Sequence, residues 1–468
     1  MNICWFRTDL RVHDNTALTA AVSQGATRGL FIASPGQWQD HNDAPVKIDF
    51  WRRALLALQT QLAQRGIPLD VLVVDHWAQV PQALLRYCQT HQAQAVYCNR
   101  EHGANERTRD RASFRLLKEN GIALTGSNDD TLLPVGSVKT GSGDTYRVFT
   151  PFAKQCRQQL RGANLAPLPA PSADSAAALA ASPLNFPAPD HSALPHDRES
   201  RWPADEAHAQ QRLHAFVHER AHRYHETRDF PDQPGTSALS PYLAAGVLSV
   251  RQCLHAALTA NHGELDSGAK GITVWITELL WREFYRHLMH GFPDLSKGRA
   301  MKPETEAVPW RSDAGQLQAW QQGRTGIPIV DAGMRQLVHT GWMHNRVRMI
   351  TAMFLTKNLL IDWRVGEAFF MQHLVDGDFA SNNGGWQWSA STGADAAPYF
   401  RIFNPVSQSQ KFDPRGDYIR HWVPELGKLD ARTLHDPSPA ERRQTGYPEP
   451  IVDLKTSRQR AIDAFASL

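Results

Sequence analysis

Cysteine is scarce in this chain and widely spread. Cys4, Cys88, Cys98, Cys156 and Cys253 are odd in number and form no CxxC. That excludes a disulfide framework and a cysteine metal site, and it reads as reduced thiols in a cytosolic protein. Long apolar runs are missing too. None approaches the ~18 residues a membrane helix needs, and no charged-then-apolar leader opens the chain. A membrane partner is not expected. Charge of one sign is also lacking: Lys+Arg number 50 against 47 Asp+Glu, a formal net +3. Bulk charge therefore gives no reason to invoke nucleic acid. Phosphate-cradling glycines are absent as well. There is no GxxxxGK[ST], "GSG" at Gly141 to Gly143 is too short to count, and "CWFRTDLRVHDN" after the first strand candidate has no glycine. Without GxGxxG the backbone cannot approach a pyrophosphate there, which argues against the usual NAD site.

What remains is an ordinary globular composition, 42% apolar and 21% charged over 468 residues, enough for two or three domains. The outlier is tryptophan: of fourteen, nine lie between Trp275 and Trp422, so the C-terminal half uses indoles. The first 130 residues alternate strand candidates ("NICWF", "RGLFIAS", "LDVLVV", "AQAVYC", "GIALTG") with helical stretches. That interval implies a doubly wound, five-stranded parallel sheet with helices on both faces. From about Leu160 to His196 the chain turns Ala/Pro/Ser-rich, which reads as a long surface connection. Beyond it strand patterns nearly vanish. The expected organisation is an α/β domain over 1–130, a linker over 131–200 and an all-helical domain over 201–468.

"HERAH", His218 to His222, matches HExxH, with His214 and His225 extending the stripe. On one helix both histidines would share a face, and Glu219 could activate a zinc-bound water. With 21 histidines, chance yields the motif in about one such chain in twenty, and no clear third ligand follows. A solvated histidine-rich face is the preferred reading. A zinc peptidase stays as a distant alternative.

"DGDFASNNGGWQWSAS", Asp376 to Ser391, makes a poor plain helix and a poor plain strand, since glycine pairs break elements. In "TVWITELLWREFYRHL", Glu278, Trp281, Arg282 and Tyr285 fall at i, i+3, i+4 and i+7 on one face. The same arithmetic aligns Trp342, Asn345, Arg346 and Met349. Two faces that each carry an indole among polar groups suggest a cavity stacking a flat, polar-edged ligand such as a base or a flavin; plain core packing is the competing reading for either stripe alone. Between Ala332 and Ile361 stand four cations (Arg335, Arg346, Arg348, Lys357) and no acid, a local strip suited to phosphate. "PGTSALSPYLAAG" adds hydroxyls ahead of a helical run, a possible phosphate seat.

Taken with "YHETRDFPDQPGTSALS", "WITELLWREFYRHL", "TGIPIVDAGMRQLVHTGWMHNRVRMI", "DGDFASNNGGWQWSASTGADAAPYFRIFNP" and "YPEPIVDLKTSRQRA", the chain resembles the photolyase/cryptochrome family from end to end. It looks most like bacterial class I cyclobutane pyrimidine dimer photolyases, which pair an α/β domain with a helical domain holding FAD. The resemblance implies that Asp376, Gly377 and Asp378 line the isoalloxazine, that Arg348 pairs with the first acid, and that Asn382 faces flavin N5. An arginine nearby favours the reduced anion FADH⁻, whereas the aspartate of plant cryptochromes at the Asn382 position would oppose it. Tyr224, Thr236, Ser237, Leu239 and Ser240 match the phosphate and ribose region, and Ala238 stands where some relatives carry arginine. Trp275, Arg282 and Trp342 are further cofactor-binding expectations.

Resemblance further implies a relay through Trp386, Trp363 and Trp310, from flavin to surface. Glu278, Trp281, Asn345, Arg346, Met349 and Gln408 match the pocket for a flipped-out dimer. Trp281 would stack on the lesion, Glu278 would hydrogen-bond the pyrimidine edge, and Arg228 and Arg346 would hold flanking phosphates of single- or double-stranded DNA. His41, Asn105, Glu106 and Lys297 match contacts to a methenyltetrahydrofolate antenna. The implied activity is blue-light-driven electron transfer from FADH⁻ to the dimer and back, by a cytosolic monomer. "WMHNR" lacks the second histidine expected of (6-4) enzymes. A cryptochrome-type photoreceptor is the alternative within the family.

Overall fold

The computed structural model describes residues 1–172, 183–189, 194–394 and 401–466. Five strands, β1 Asn2–Phe6, β2 Thr27–Ala33, β3 Leu69–Val73, β4 Ala95–Asn99 and β5 Ala123–Ser127, form one sheet in the order β3-β2-β1-β4-β5. Every pairing is parallel, and Asn2 of central β1 faces Thr27 on one side and Ala95 on the other. β1 is buried along its whole length, as a strand covered on both faces must be. Ile3 and Trp5 pack with Leu84, Leu85 and Cys88 of the Val80–Thr90 helix, while Cys4 and Phe6 look the other way. That second face shares one core with Phe50 and Leu58 of the Pro45–Ala63 helix and with residues as distant as Trp275 and Phe284. The expected α/β sheet is thus fused to the helical part through a continuous apolar interior.

The glycine-free loop after β1 is what joins them. Arg11 pairs with Asp129 and donates to the Gly246 carbonyl, while Asp14 accepts from Ser249 and Arg251. Gly246 has φ +66, and a Cβ there would lie 2.0 Å from the Thr8 carbonyl oxygen. Two backbones meet with no room for a side chain. A loop that elsewhere could cradle a pyrophosphate is here filled by a domain joint.

The 131–200 stretch, expected as a linker, is structured in part. It contains the helix Phe149–Leu160, whose Phe152, Ala153, Cys156 and Leu160 are buried against the Lys270–Gly291 helix. Within its Ala/Pro/Ser-rich portion, 173–182 and 190–193 lie outside the described residues. After β5 the described residues hold no further strand, only the isolated bridge between Lys139 and Thr145. A second core, from Trp320 to Tyr447, belongs wholly to the helical part. No helix among the described residues is long and apolar enough to cross a membrane.

Candidate functional site

Two helices build the site. Lys270–Gly291 spans 22 residues, and Phe379–Ala390 packs across it. The second is "FASNNGGWQWSA", so the segment that reads as neither helix nor strand is a helix after all. Its two glycines cost about 1 kcal/mol each relative to alanine, but packing overrides propensity. A Cβ on Gly384 would sit 2.2 Å from the Tyr285 ring, whereas one on Gly385 would meet nothing within 4 Å. One glycine lets the helices touch; the other borders open space. Asp378 caps the helix, its carboxylate accepting from the Ser381 N–H at 2.9 Å.

That cap is also the end of an ion chain. Arg286 donates to Asp378 at 3.0 and 3.3 Å and to Asp130, and Arg282 has both Nη groups on Asp130. Burial would raise the Asp378 carboxyl, but Arg286, Arg282 and Ser381 outweigh it and hold the group well below the ordinary carboxylate range. Arg286 is itself raised despite burial, because Asp130 and Asp378 flank it. A second pair lies alongside: Arg348 Nη2 donates to both oxygens of Asp376 at 2.8 and 3.1 Å, and its Nε to the Met343 carbonyl at 2.7 Å. Gly377, between the two acids, donates its N–H to Leu374.

Asn382 is fixed by its own amide. Nδ2 donates to the Glu367 carbonyl at 3.0 Å, so the side-chain oxygen is the end left for a ligand. Glu367 also accepts from Asn383 at 3.0 Å, and burial pushes its carboxyl up to about 7. Ser240 opens the short helix Ser240–Ala244 and accepts from Trp342 Nε1 at 3.4 Å. The Thr236 and Ser237 hydroxyls find no partner among the described residues. Ala238 adopts φ +51, an αL conformation uncommon for alanine, and Leu239 is buried. Tyr224 packs edge-on to Phe216, which also meets Trp275 at 4.9 Å in the core.

The stripe through Trp342 does not survive as drawn. Left-handed Gly341 ends the Pro328–Thr340 helix, and the next helix begins only at Asn345, capped by His344. Trp342 therefore sits in the turn between them, while Asn345, Arg346 and Met349 share the helix.

At the outer rim Glu278 pairs with Arg228, and Arg346 pairs with Asp229 at 2.8 Å while covering the Phe412 ring. Burial pushes the Glu278 carboxyl up, with Arg228 opposing. Asn345 Nδ2 lies 3.9 Å from Met349 Sδ. Trp281 stacks face to face on Phe149 at 3.7 Å and 7°, so one face of the indole is held. Gln408 Oε1 is buried with no hydrogen-bond partner among the described residues.

This arrangement is shared. Residues 2–172 match the model of DNA photolyase, and 275–467 match the FAD binding domain of DNA photolyase. The deoxyribodipyrimidine photo-lyase of Escherichia coli is 44% identical over 99% of this chain and 98% of its own length, and that of Vibrio cholerae is 45% identical over 98% of both. A solved class III photolyase from Agrobacterium tumefaciens covers 100% of this chain and 97% of its own, with TM-score 0.87 and 37% identity. The chain belongs to the DNA photolyase family. Its helical domain is the family's FAD-binding domain. The uncommitted Thr236 and Ser237 hydroxyls, the Asn382 acceptor, the Arg348 cation and the space beside Gly385 fit that cofactor. A cryptochrome from Synechocystis has the same fold, at TM-score 0.86 and 30% identity over 99% of both chains.

As a photolyase, the chain has its three expected relay indoles in graded positions. Trp386 and Trp363 are buried and Trp310 is half-buried. A Cβ on Gly366, one turn after Trp363, would lie 2.1 Å from the Trp386 ring. Arg311, next to Trp310, bonds the Leu360 carbonyl just ahead of Trp363. In the α/β part, His41 Nε2 meets Asn105 Nδ2 at 2.9 Å, and burial pushes the Glu106 carboxyl up to about 7. Lys297 is exposed and paired with Asp294 at 3.0 Å, on a short turn packed against the Ala104–Glu119 helix. The photo-lyase names of the relatives leave no place for a zinc peptidase, and the structure shows why HExxH misleads. The Glu206–Glu219 helix stops at Glu219, Arg220 breaks the spacing, and His218 and His222 are on separate elements.

Arg286, Asp130, Glu367 and Phe149 were not singled out from the sequence. Arg286 could have been, since it lies at i+4 from Arg282 on the same face. The others join the site across 120 residues or more, or through a main-chain carbonyl, and carry no local signal.

Proposed function

We propose that this chain is a light-dependent deoxyribodipyrimidine photo-lyase, a carbon–carbon lyase that reverts cyclobutane pyrimidine dimers in DNA. One observation carries the reading: the Lys270–Gly291 helix bears Glu278 and Trp281 toward the rim and, one to two turns on, Arg286 beneath the Asp378 cap. The lesion wall and the cofactor wall are thus one rigid element. FAD held there in its reduced form would supply an electron under blue light and recover it once the cyclobutane bonds open.

The residues do the rest. Arg348 and Arg286 would keep cationic charge beside a flavin anion, Arg348 tempered by Asp376 and Arg286 by Asp130 and Asp378. Asn382, its amide held on the Glu367 carbonyl, would offer its side-chain oxygen to the flavin, and Trp275, Gly377 and Trp342 would close the walls. Thr236, Ser237 and Ser240 take the phosphate and ribose, with Tyr224, Ala238 and Leu239 shaping the turn. Trp281, backed by Phe149, stacks on the extruded dimer, and Gln408, Asn345 and Met349 border it. Glu278, raised by burial, hydrogen-bonds the pyrimidine edge when DNA draws Arg228 to a phosphate, as Arg346 is drawn. A flipped dimer costs less to extrude than a paired base. Trp386, Trp363 and Trp310 refill the flavin from the surface. Methenyltetrahydrofolate is the proposed antenna, on His41, Asn105, Glu106 and Lys297. The protein acts as a monomer in the cytosol, on single- or double-stranded DNA.

The test is a count of cyclobutane dimers in UV-irradiated DNA mixed with reduced protein, under blue light and in darkness. Loss only in light supports repair. No loss with reduced flavin bound leaves a photoreceptor on the same fold.

A further inference from the structure

The "GSG" that was too short to be a nucleotide motif sits at the tip of a tight turn. Lys139 bridges Thr145, Thr140 N–H donates to the Asp144 carbonyl at 2.9 Å, and Gly143 N–H returns to Thr140 at 2.9 Å. Between this hairpin, the chain running on to Pro151, and Gly291–Phe292 at the end of the long helix lies a groove of about 820 Å³. Two cations line it. Lys139 donates only to the Thr145 hydroxyl at 3.1 Å, and exposed Arg147 lies over the Phe292 ring at 5.0 Å. Neither has a carboxylate partner among the described residues. The single acid of the groove, Asp144, accepts from Ser142 at 2.7 Å within the hairpin.

The groove continues the proposed lesion site. Arg147 is two residues before Phe149, which stacks on Trp281, and the same helix carries both Trp281 and Gly291. Ten helical residues separate them, about 15 Å at 1.5 Å each, or roughly four steps of a DNA strand at ~3.4 Å per phosphate.

The geometry points to this groove as the seat for the lesion-bearing strand a few nucleotides beyond the dimer, with Lys139 and Arg147 on its phosphates. This rests on the reading that the cavity at Trp281 takes a dimer in DNA. Charge favours nucleic acid over a peptide here, because two cations without carboxylate partners among the described residues line the groove beside a single acid. The Tyr146 ring, and the Phe292 face uncovered when Arg147 moves to a phosphate, suit bases without reading their identity.

Two experiments on flavin-loaded protein, in dim red light, decide it. Oligonucleotides carrying one dimer and shortened stepwise from either end should lose affinity sharply when one particular flank falls below about four nucleotides. Lys139→Gln/Arg147→Gln should remove that length dependence. It should also lower the slope of log K against log salt by about 1.4–1.8, since each phosphate contact contributes 0.7–0.9. An unchanged slope, or a wild type indifferent to both flanks, overturns the assignment. If the double variant loses flavin, Arg147→Gln alone, at an exposed side chain, should lower the slope by about 0.7–0.9. A wild type with no preference for dimer-bearing DNA refutes the repair reading itself, a different failure.

Discussion

Arg286→Met should cost the protein most where it is least visible from outside. Arg286 is 6% exposed and joins Asp130 to Asp378, so its loss leaves the Asp378 carboxylate with Ser381 and a more distant Arg282. Breaking a buried ion pair from one side costs about 3–5 kcal/mol. Because Arg282 still faces Asp130, the expected loss is at the lower end, about 3 kcal/mol. The pH dependence fixes the cause. In the wild type the Asp378 carboxyl is held below its ordinary range, so it stabilises above the unfolded value of about 3.9 and that contribution is lost only as pH falls further. Without the cation, burial dominates and the carboxyl moves up. The deficit should be largest near pH 7.5 and shrink toward pH 5.5, where protonation becomes cheap. Arg286→Met/Asp378→Asn, which removes the orphaned charge, should recover much of it. Urea midpoints of FAD-loaded protein at both pH values measure this, with flavin absorbance reporting retention. A cost under about 1 kcal/mol, or the same cost at both pH values, refutes the reasoning.

Trp281→Ala should weaken binding of dimer-bearing DNA about 5- to 150-fold, as expected for 1–3 kcal/mol of stacking, with FAD retained. Filter binding against undamaged DNA reads this, and an unchanged preference would reject the stacking role. Trp310→Phe should block photoreduction of oxidised flavin while repair by pre-reduced protein continues; surviving photoreduction means the outer relay member is wrong. Gly366→Ala would gain about 1 kcal/mol of helix propensity but places a methyl 2.1 Å from Trp386 and 2.6 Å from Leu355. Overpacking of about 1–3 kcal/mol should win, lowering the denaturation midpoint and slowing photoreduction together; a rise in stability would contradict the packing.

Much of the fold was legible because period and composition are local properties. β1 to β5 read as apolar runs separated by helical spacing, and their parallel pairing followed, though not the order β3-β2-β1-β4-β5. Residues a few positions apart also lie as their spacing implies: Glu278 and Trp281 share one helix, and Asp376 and Asp378 each meet an arginine. What escaped was of two kinds. Partners distant in sequence, such as Asp130 with Arg286 at a separation of 156, leave no pattern in either segment. Local rules overridden by packing were the other kind. Glycines 384 and 385 argued against a helix that Tyr285 and Asp378 enforce, while Gly341 cut a helical stripe that simple counting carried through Trp342.

Light-driven repair lends an electron to the dimer and recovers it. Single blue flashes on fully reduced protein bound to dimer-bearing DNA, in the absence of any external reductant, test it by counting dimers lost against flavin oxidised. Repair accumulating flash after flash with no net flavin oxidation is the expected result. One oxidised flavin for every dimer split, or no splitting while reduced flavin and DNA are both bound, would contradict it.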